Sequence, residues 1–165
     1  MSTHDREALK KTKKLAEDIR FCMMTTVSPE GHLLSRPMTT MEMDEDGGLW
    51  FFASLESEQT VAFDMDENVN IAYSEPSDSH YLSITGTASV VKDPLKIQEL
   101  WSPMVSAWFP KGKTDPLLCL IKVDPIRAEY WESPSSKVVK LFGIAKAILT
   151  HSVPHLGVHE KIALN

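Results

Sequence analysis

Residues 80–92, from His80 to Lys92, read as one long strand with Gly86 near its centre. A glycine inside a strand pattern marks a bulge or a barrel corner, because it packs no side chain and lets two backbones approach closely. The runs around it are short, apolar and β-branched: 21–27, 33–43, 49–54, 69–74, 117–123 and 128–132, the last two broken at Asp124-Pro125. Turn residues separate them. Ser28-Pro29-Glu30-Gly31 has the residue order of a type I turn, and residues 44–48 end in two glycines. Six or seven mostly antiparallel strands with a central bulge predict a small β-barrel with helices outside.

The helices are placed by periodicity and caps. Residues 3–19 form an amphipathic helix: Ala8, Leu9, Thr12, Leu15, Ala16 and Ile19 share one face and four lysines take the wet side. Residues 57–66 predict a short helix capped by Ser57 and packed by Val61, Ala62 and Met65. Asp93-Pro94 opens another, carrying Ile97, Leu100 and Trp101, the last read as core. Residues 102–116 read as loop, with Trp108-Phe109-Pro110 exposed. Residues 139–149 have helical spacing, and 151–165 form an arm with a short strand near 161–164. The whole chain, 1–165, reads as one domain: a barrel over about 20–132, a helix before it, and a helix and arm over 138–165.

Composition narrows the function. With 165 residues, 42% apolar and 24% charged, the chain suits one ordinary globular core. A net charge of −6 argues against a nucleic-acid partner. No run is long and apolar enough to span a membrane, and the polar N-terminus is unlike a secretory signal, so a cytoplasmic protein is expected. Cys22 and Cys119 each sit in strand-like runs and read as buried thiols. His151, His155 and His159 recur every fourth residue, but Pro154 and Gly157 break the helix such a metal site needs, so no metal is expected. No nucleophile–base set and no carboxylate pair stands out, and the catalytic residues stay unassigned.

The candidate ligand site is the stretch 34–60. On the first strand Leu34, Arg36, Met38 and Thr40 share a face, and Pro37, lacking an N–H, puts that strand near an edge. An apolar strand with Phe51, Phe52 and Ala53 follows, running into the hydroxyls of Ser54, Ser57 and Thr60 where a helix starts. An arginine, hydroxyls and backbone amides can hold a phosphate, and the apolar strand can take a flat ring. The bland alternatives are a surface strand arginine and plain helix-capping hydroxyls. Trp108 is open to an interface, a ligand or local packing.

Seven segments resemble one known family. They are Ser35-Arg36-Pro37-Met38, Leu49-Trp50-Phe51-Phe52, Val69-Asn70-Ile71-Ala72-Tyr73, residues 81–88, Glu99-Leu100-Trp101, Ala107-Trp108-Phe109-Pro110 and Ala128-Glu129-Tyr130-Trp131. In this order over about residues 8–132 they are similar to the FMN-binding split-barrel superfamily of pyridoxamine 5′-phosphate oxidase, in its bacterial general stress protein branch. Leu156-Gly157 and Glu160-Lys161 look like that branch's tail. The resemblance implies a mainly β fold with added helices: a six- to seven-stranded antiparallel split β-barrel with peripheral α-helices. It implies a homodimer with FMN between the subunits. Arg36, with Pro37 and Met38 beside it, would pair with the flavin phosphate. Phe51, Phe52 and Ala53 would face the ring through their backbone, and Ser54, Ser57, Gln59 and Thr60 would lie in the phosphate region. Trp108 and Trp131 fall where the opposite subunit approaches.

The chain departs from the oxidase branch at its cations. Glu58 and Gln59 stand where an arginine and a lysine are expected, and Met41 replaces a lysine. Putting glutamate for arginine beside a dianion weakens binding by about one to several kcal/mol. The expectation is an FMN-binding flavoprotein of the general stress type with a weakened phosphate site. It acts either as a flavin-dependent oxidoreductase on a small molecule or as a non-catalytic flavin-binding protein, and it is not a true pyridoxamine 5′-phosphate oxidase.

Overall fold

A computed structural model describes residues 3–133 and 157–164 of the chain. Helix α1 (Thr3–Ile19) lays Ala8, Thr12, Leu15 and Ala16 onto the core, at the spacing of one helix face. The Thr12 hydroxyl turns back to the Ala8 carbonyl at 3.0 Å, so a buried polar atom keeps a partner. Arg20 ends the helix in the left-handed conformation, φ 64°.

Eight strands follow among the described residues: β1 (Phe21–Val27), β2 (Leu33–Thr39), β3 (Glu42–Met43), β4 (Leu49–Ser54), β5 (Asn68–Glu75), β6 (His80–Val91), β7 (Leu118–Glu132) and β8 (Val158–Ala163). Every pairing is antiparallel, in the order β2-β1-β5-β6-β7-β4-β3, with β8 added on β7. The sheet curls into a half-barrel. Its ends meet where β2 packs beside β4 without a hydrogen-bonded ladder. The edge position that Pro37 demands is the one β2 holds.

Gly86 makes the bend. The β6–β7 register shifts between Thr85 and Gly86, and the residue skipped on β7 is Ile126. A Cβ on Gly86 would lie 2.4 Å from the Asp124 carbonyl oxygen, so only glycine allows the two backbones to approach that closely. Asp124-Pro125, expected to split two strands, instead lies within one 15-residue strand, because the bulge absorbs the proline. One edge of β7 then serves two neighbours: β4 along 118–123 and β8 along 127–132.

Two apolar clusters form. The main core fills the barrel with Met24, Phe51, Ile71, Tyr73, Leu82, Ile84, Ile121 and Val123. The second lies on the other face of β4 and β7, where Phe52, Leu118 and Leu120 meet Ile97 and Val105. The helices α3 (Pro94–Leu100) and α4 (Pro103–Trp108) cover it. Trp101 closes α3 and meets Phe52 edge-to-face at 5.7 Å, which bears out its reading as a core residue.

Some expectations need correction. The helix placed at 57–66 is α2 (Glu58–Ala62), five residues long, and Val61 and Met65 point to solvent while Thr60 and Ala62 are buried. Residues 102–116 are not all loop, since Ser102 caps α4 through Val105 N and Pro103 takes the first helical turn. The strand from 33 ends at Thr39 and resumes only as β3, and among the described residues the antiparallel half-barrel has eight strands, the two-residue β3 included. β8 begins at Val158, before the expected 161, and belongs to the sheet. The helix expected at 139–149 lies outside the described residues.

Candidate functional site

β2, β4 and α4 enclose an apolar cavity of about 300 Å³. Phe52 and Val105 form its base, Pro37, Met38 and Thr39 one side, and Met41, Met104 and Phe109 the other. Phe21 and Trp108 stand at the mouth, 66% and 78% exposed. No ionisable side chain lines it among the described residues; its polar side-chain groups are the Thr39 hydroxyl and the Trp108 indole N–H.

The backbone supplies the rest. The Leu55 amide donates to the Leu117 carbonyl, so odd-numbered residues of β4 turn their polar atoms toward β7. Met41 N donates to the Trp50 carbonyl on the opposite edge, so Trp50, Phe52 and Ser54 turn theirs away from β7. β3 pairs only with Leu49 and Trp50. Past its end, the N–H and C=O of Phe52 face the gap between β2 and β4, with no ladder to take them up. The Ser54 carbonyl, one step on, accepts from the Ser57 amide and hydroxyl.

Arg36 sits on the barrel side of β2. Its Nη1 donates to the Thr26 hydroxyl at 2.9 Å. Partial burial pushes the guanidinium pKa down, and the Glu58 carboxylate offsets part of that effect. The hydroxyls at the end of β4 turn inward. Ser57 Oγ donates to the Ser54 carbonyl at 2.6 Å and makes no cap bond. Thr60 Oγ1 lies 2.8–3.1 Å from the carbonyls of Ser54, Leu55 and Ser57. Gln59 is half-buried and neutral.

The expected site residues therefore separate. Pro37, Met38, Phe52 and Trp108 come together around the cavity. Arg36, Ser54, Ser57, Gln59 and Thr60 gather near the start of α2. Phe51 and Ala53 turn their side chains into the barrel core, away from the cavity. Trp131 is elsewhere, on the outer face of the sheet. His159 stacks on it with ring centres 5.0 Å apart and meets Glu129 Oε1 at 2.6 Å. His151 and His155 lie outside the described residues, and among those described no cluster of three metal-ligating side chains occurs. Phe21, Met104 and Val105 escaped the sequence reading. Ser102-Pro103 was the available signal, the same cap-then-proline pattern that located α3.

A second, polar cavity of about 230 Å³ lies behind Met41, lined by Glu17, Arg20, Thr40 and Glu42. Thr40 there spends its hydroxyl on Tyr73 Oη at 2.7 Å. Burial pushes the Cys22 thiol beside them up to about 11, which leaves it inert as a nucleophile.

Comparison with known proteins agrees with this architecture. The chain is 33% identical over 142 residues to the protein bli-3 of Neurospora crassa, covering 79% of this chain and 68% of that one. A crystal structure from Jannaschia, named as a candidate general stress protein 26, superposes with a TM-score of 0.71 at 26% identity, covering 96% of this chain and 99% of that one. The general stress FMN/FAD-binding protein of Xanthomonas citri matches with a TM-score of 0.67 at 30% identity, covering 82% and 93%. The model of pyridoxamine 5′-phosphate oxidase-like proteins matches residues 7–155. The chain belongs to the pyridoxamine 5′-phosphate oxidase-like family.

Proposed function

We propose that this protein binds FMN in the cavity between β2, β4 and α4. The observation that carries the reading is the free backbone edge at Phe52. A donor and an acceptor stand side by side in the wall of an otherwise apolar slot, which complements a flat ring whose edge carries both carbonyl and N–H groups. The residues present fit such a group: Pro37, Met38 and Phe52 would hold the ring, Trp108 would cover it, and Arg36 would meet the phosphate charge. The Xanthomonas citri relative, named for FMN and FAD binding, supports the same ligand class.

Bound there, a flavin would supply two-electron redox chemistry, and the chain would supply binding, orientation and exclusion of water. The cavity offers no acid or base to move a proton. That supports electron exchange with a small molecule that needs no protein proton donor; it equally favours a non-catalytic flavin carrier of the general stress type. A homodimer is part of the proposal. Phe21, Met23 and Leu33 leave an exposed apolar row on the outer face of β1 and β2, and Trp131 lies on that same face of the sheet, where a second copy would bring it to a neighbour's cavity. A cytoplasmic setting fits two free, buried cysteines.

Titration of purified protein with FMN, followed by quenching of flavin fluorescence, tests the reading. Saturable binding in the micromolar range or tighter is expected, with protection of Trp108 fluorescence from acrylamide. A protein that is colourless as isolated and cannot be loaded with FMN would overturn it. Reduction of the bound flavin by NADH or NADPH at a useful rate would select the oxidoreductase over the carrier.

A further inference from the structure

Resting on that reading, we infer that Met38 and Met104 are oxidation sites: a hydroperoxide converts their thioethers to sulfoxides, and the sulfoxides weaken the hold of the slot on its flavin. The two side chains stand on opposite walls of the cavity, each part-buried, below a mouth marked by the exposed Phe21 and Trp108. A volume of about 300 Å³ admits a molecule the size of hydrogen peroxide. Other methionines are placed differently. Met24 and Met43 are fully buried in the barrel core, and Met23 and Met65, 42% and 71% exposed, do not line the slot. The step balances for hydrogen peroxide. A sulfur lone pair attacks one peroxide oxygen, an S–O bond forms and the O–O bond breaks. Sulfur is oxidised by two electrons, the peroxide is reduced by two, and the departing oxygen takes the proton of the attacked one and leaves as water.

The consequence falls on the ligand rather than on the fold. In the open slot, water solvates a sulfoxide oxygen. A flat ring that fills the slot strips that water away. The side-chain donors in the lining are then the Thr39 hydroxyl and the Trp108 indole N–H, and the Phe52 N–H is the donor that the ring itself needs. A stranded sulfoxide oxygen carries the desolvation penalty of an unpaired polar group, which weakens the ligand by roughly tenfold for each one. Met41 is the contrast within the same wall. It also borders the polar cavity that holds Arg20, whose guanidinium can donate to a sulfoxide turned that way, so its oxidation costs the ligand less.

The test exposes ligand-free protein to hydrogen peroxide, locates sulfoxides by peptide mass spectrometry, and measures the FMN dissociation constant by flavin fluorescence before and after. Each protein is compared with itself, so the starting affinity of a variant does not enter. In the parent, Met38 and Met104 are expected to oxidise, Met24 and Met43 to stay reduced, and the FMN constant to rise by roughly tenfold or more, with the ligand-free melting temperature little changed. Bound FMN is expected to slow oxidation of Met38 and Met104 but not of Met65, and methionine sulfoxide reductase with dithiothreitol to restore the affinity. In the double variant Met38→Leu, Met104→Leu the rise should shrink to the remainder contributed by Met41. An undiminished rise in that variant, or an unchanged constant in a parent carrying both sulfoxides, would overturn the inference while leaving flavin binding intact. So would Met38 and Met104 that stay reduced while Met65 is oxidised. An untreated parent that binds no FMN would instead remove the flavin reading, and this inference with it.

Discussion

Arg36→Ala tests the polar end of the site, and the size of its effect follows from the contacts. In the free protein Arg36 donates to Thr26 Oγ1 at 2.9 Å, and Thr26 is 1% exposed. Truncation takes away that buried hydroxyl's donor, a loss of about 1 kcal/mol in stability, with a further small contribution from the packed alkyl stem. In a chain of this length that lowers the melting temperature by about 2–4 °C. The effect on ligand is larger. A charge-assisted hydrogen bond from a half-buried guanidinium to phosphate contributes about 1.5–3 kcal/mol, which is roughly 10- to 150-fold in dissociation constant for FMN. Riboflavin, with no phosphate, should change by less than about threefold. Calorimetric titration of both ligands against parent and variant gives the ratio directly. An FMN constant unchanged within error, or equal losses for FMN and riboflavin, would refute the assignment of Arg36 to the phosphate.

Other outcomes follow from the same geometry. Trp108→Ala removes a side chain that is 78% exposed, so stability should move by no more than about 0.5 kcal/mol, whereas FMN should weaken several-fold in fluorescence titration; a large loss of stability with intact binding would contradict its place at the cavity mouth. Gly86→Ala forces a methyl group against the Asp124 carbonyl at a starting distance of 2.4 Å, and urea unfolding should show a loss of about 1–3 kcal/mol. Gly31→Ala is its control: φ is 83° but nothing lies within 4 Å, so only backbone strain of about 1–2 kcal/mol applies. Glu129 gives a pH dependence. The His159 hydrogen bond first, then Lys161 and Arg127, hold its carboxyl below the usual carboxylate range. A depressed acid adds stability that is fully present above the unfolded value of about 4.3 and lost as pH falls through the lower folded value. Glu129→Gln should therefore melt lower than the parent at about pH 7, with the difference closing below about pH 4.

Much of the fold was legible because the signals were local. Gly86 announced the bulge, Pro37 announced an edge strand, and Asp93-Pro94 announced α3, each through a backbone requirement that one residue type meets. What stayed hidden was set by tertiary context. Asp124-Pro125 looks like a strand break, and only the bulge at Ile126, opposite Gly86 of β6, lets β7 run through it. Val61 and Met65 look like a packing face, yet α2 stops after five residues and leaves both in solvent. The site divided in the same way. Arg36, Phe52 and Trp108 could be picked out by residue type and by resemblance. The feature that makes the cavity receptive is a parity of backbone direction on β4, fixed by which neighbours stop pairing and where. No side chain in the sequence encodes that visibly. Met41 and Met104, which complete the wall, are ordinary apolar residues until the curl of the sheet brings them together.

The unjoined meeting of β2 and β4 has a consequence for evolution under heat. Every unpaired amide along that line is stability forgone, and small sequence changes could recover it by drawing the two strands into register. A lineage selected only for resistance to melting would tend to zip the barrel shut, closing the slot and engaging the Phe52 backbone. Receptivity and ruggedness compete here for the same few peptide groups. Persistence of the opening across a family of such barrels would then record continued demand for what it holds.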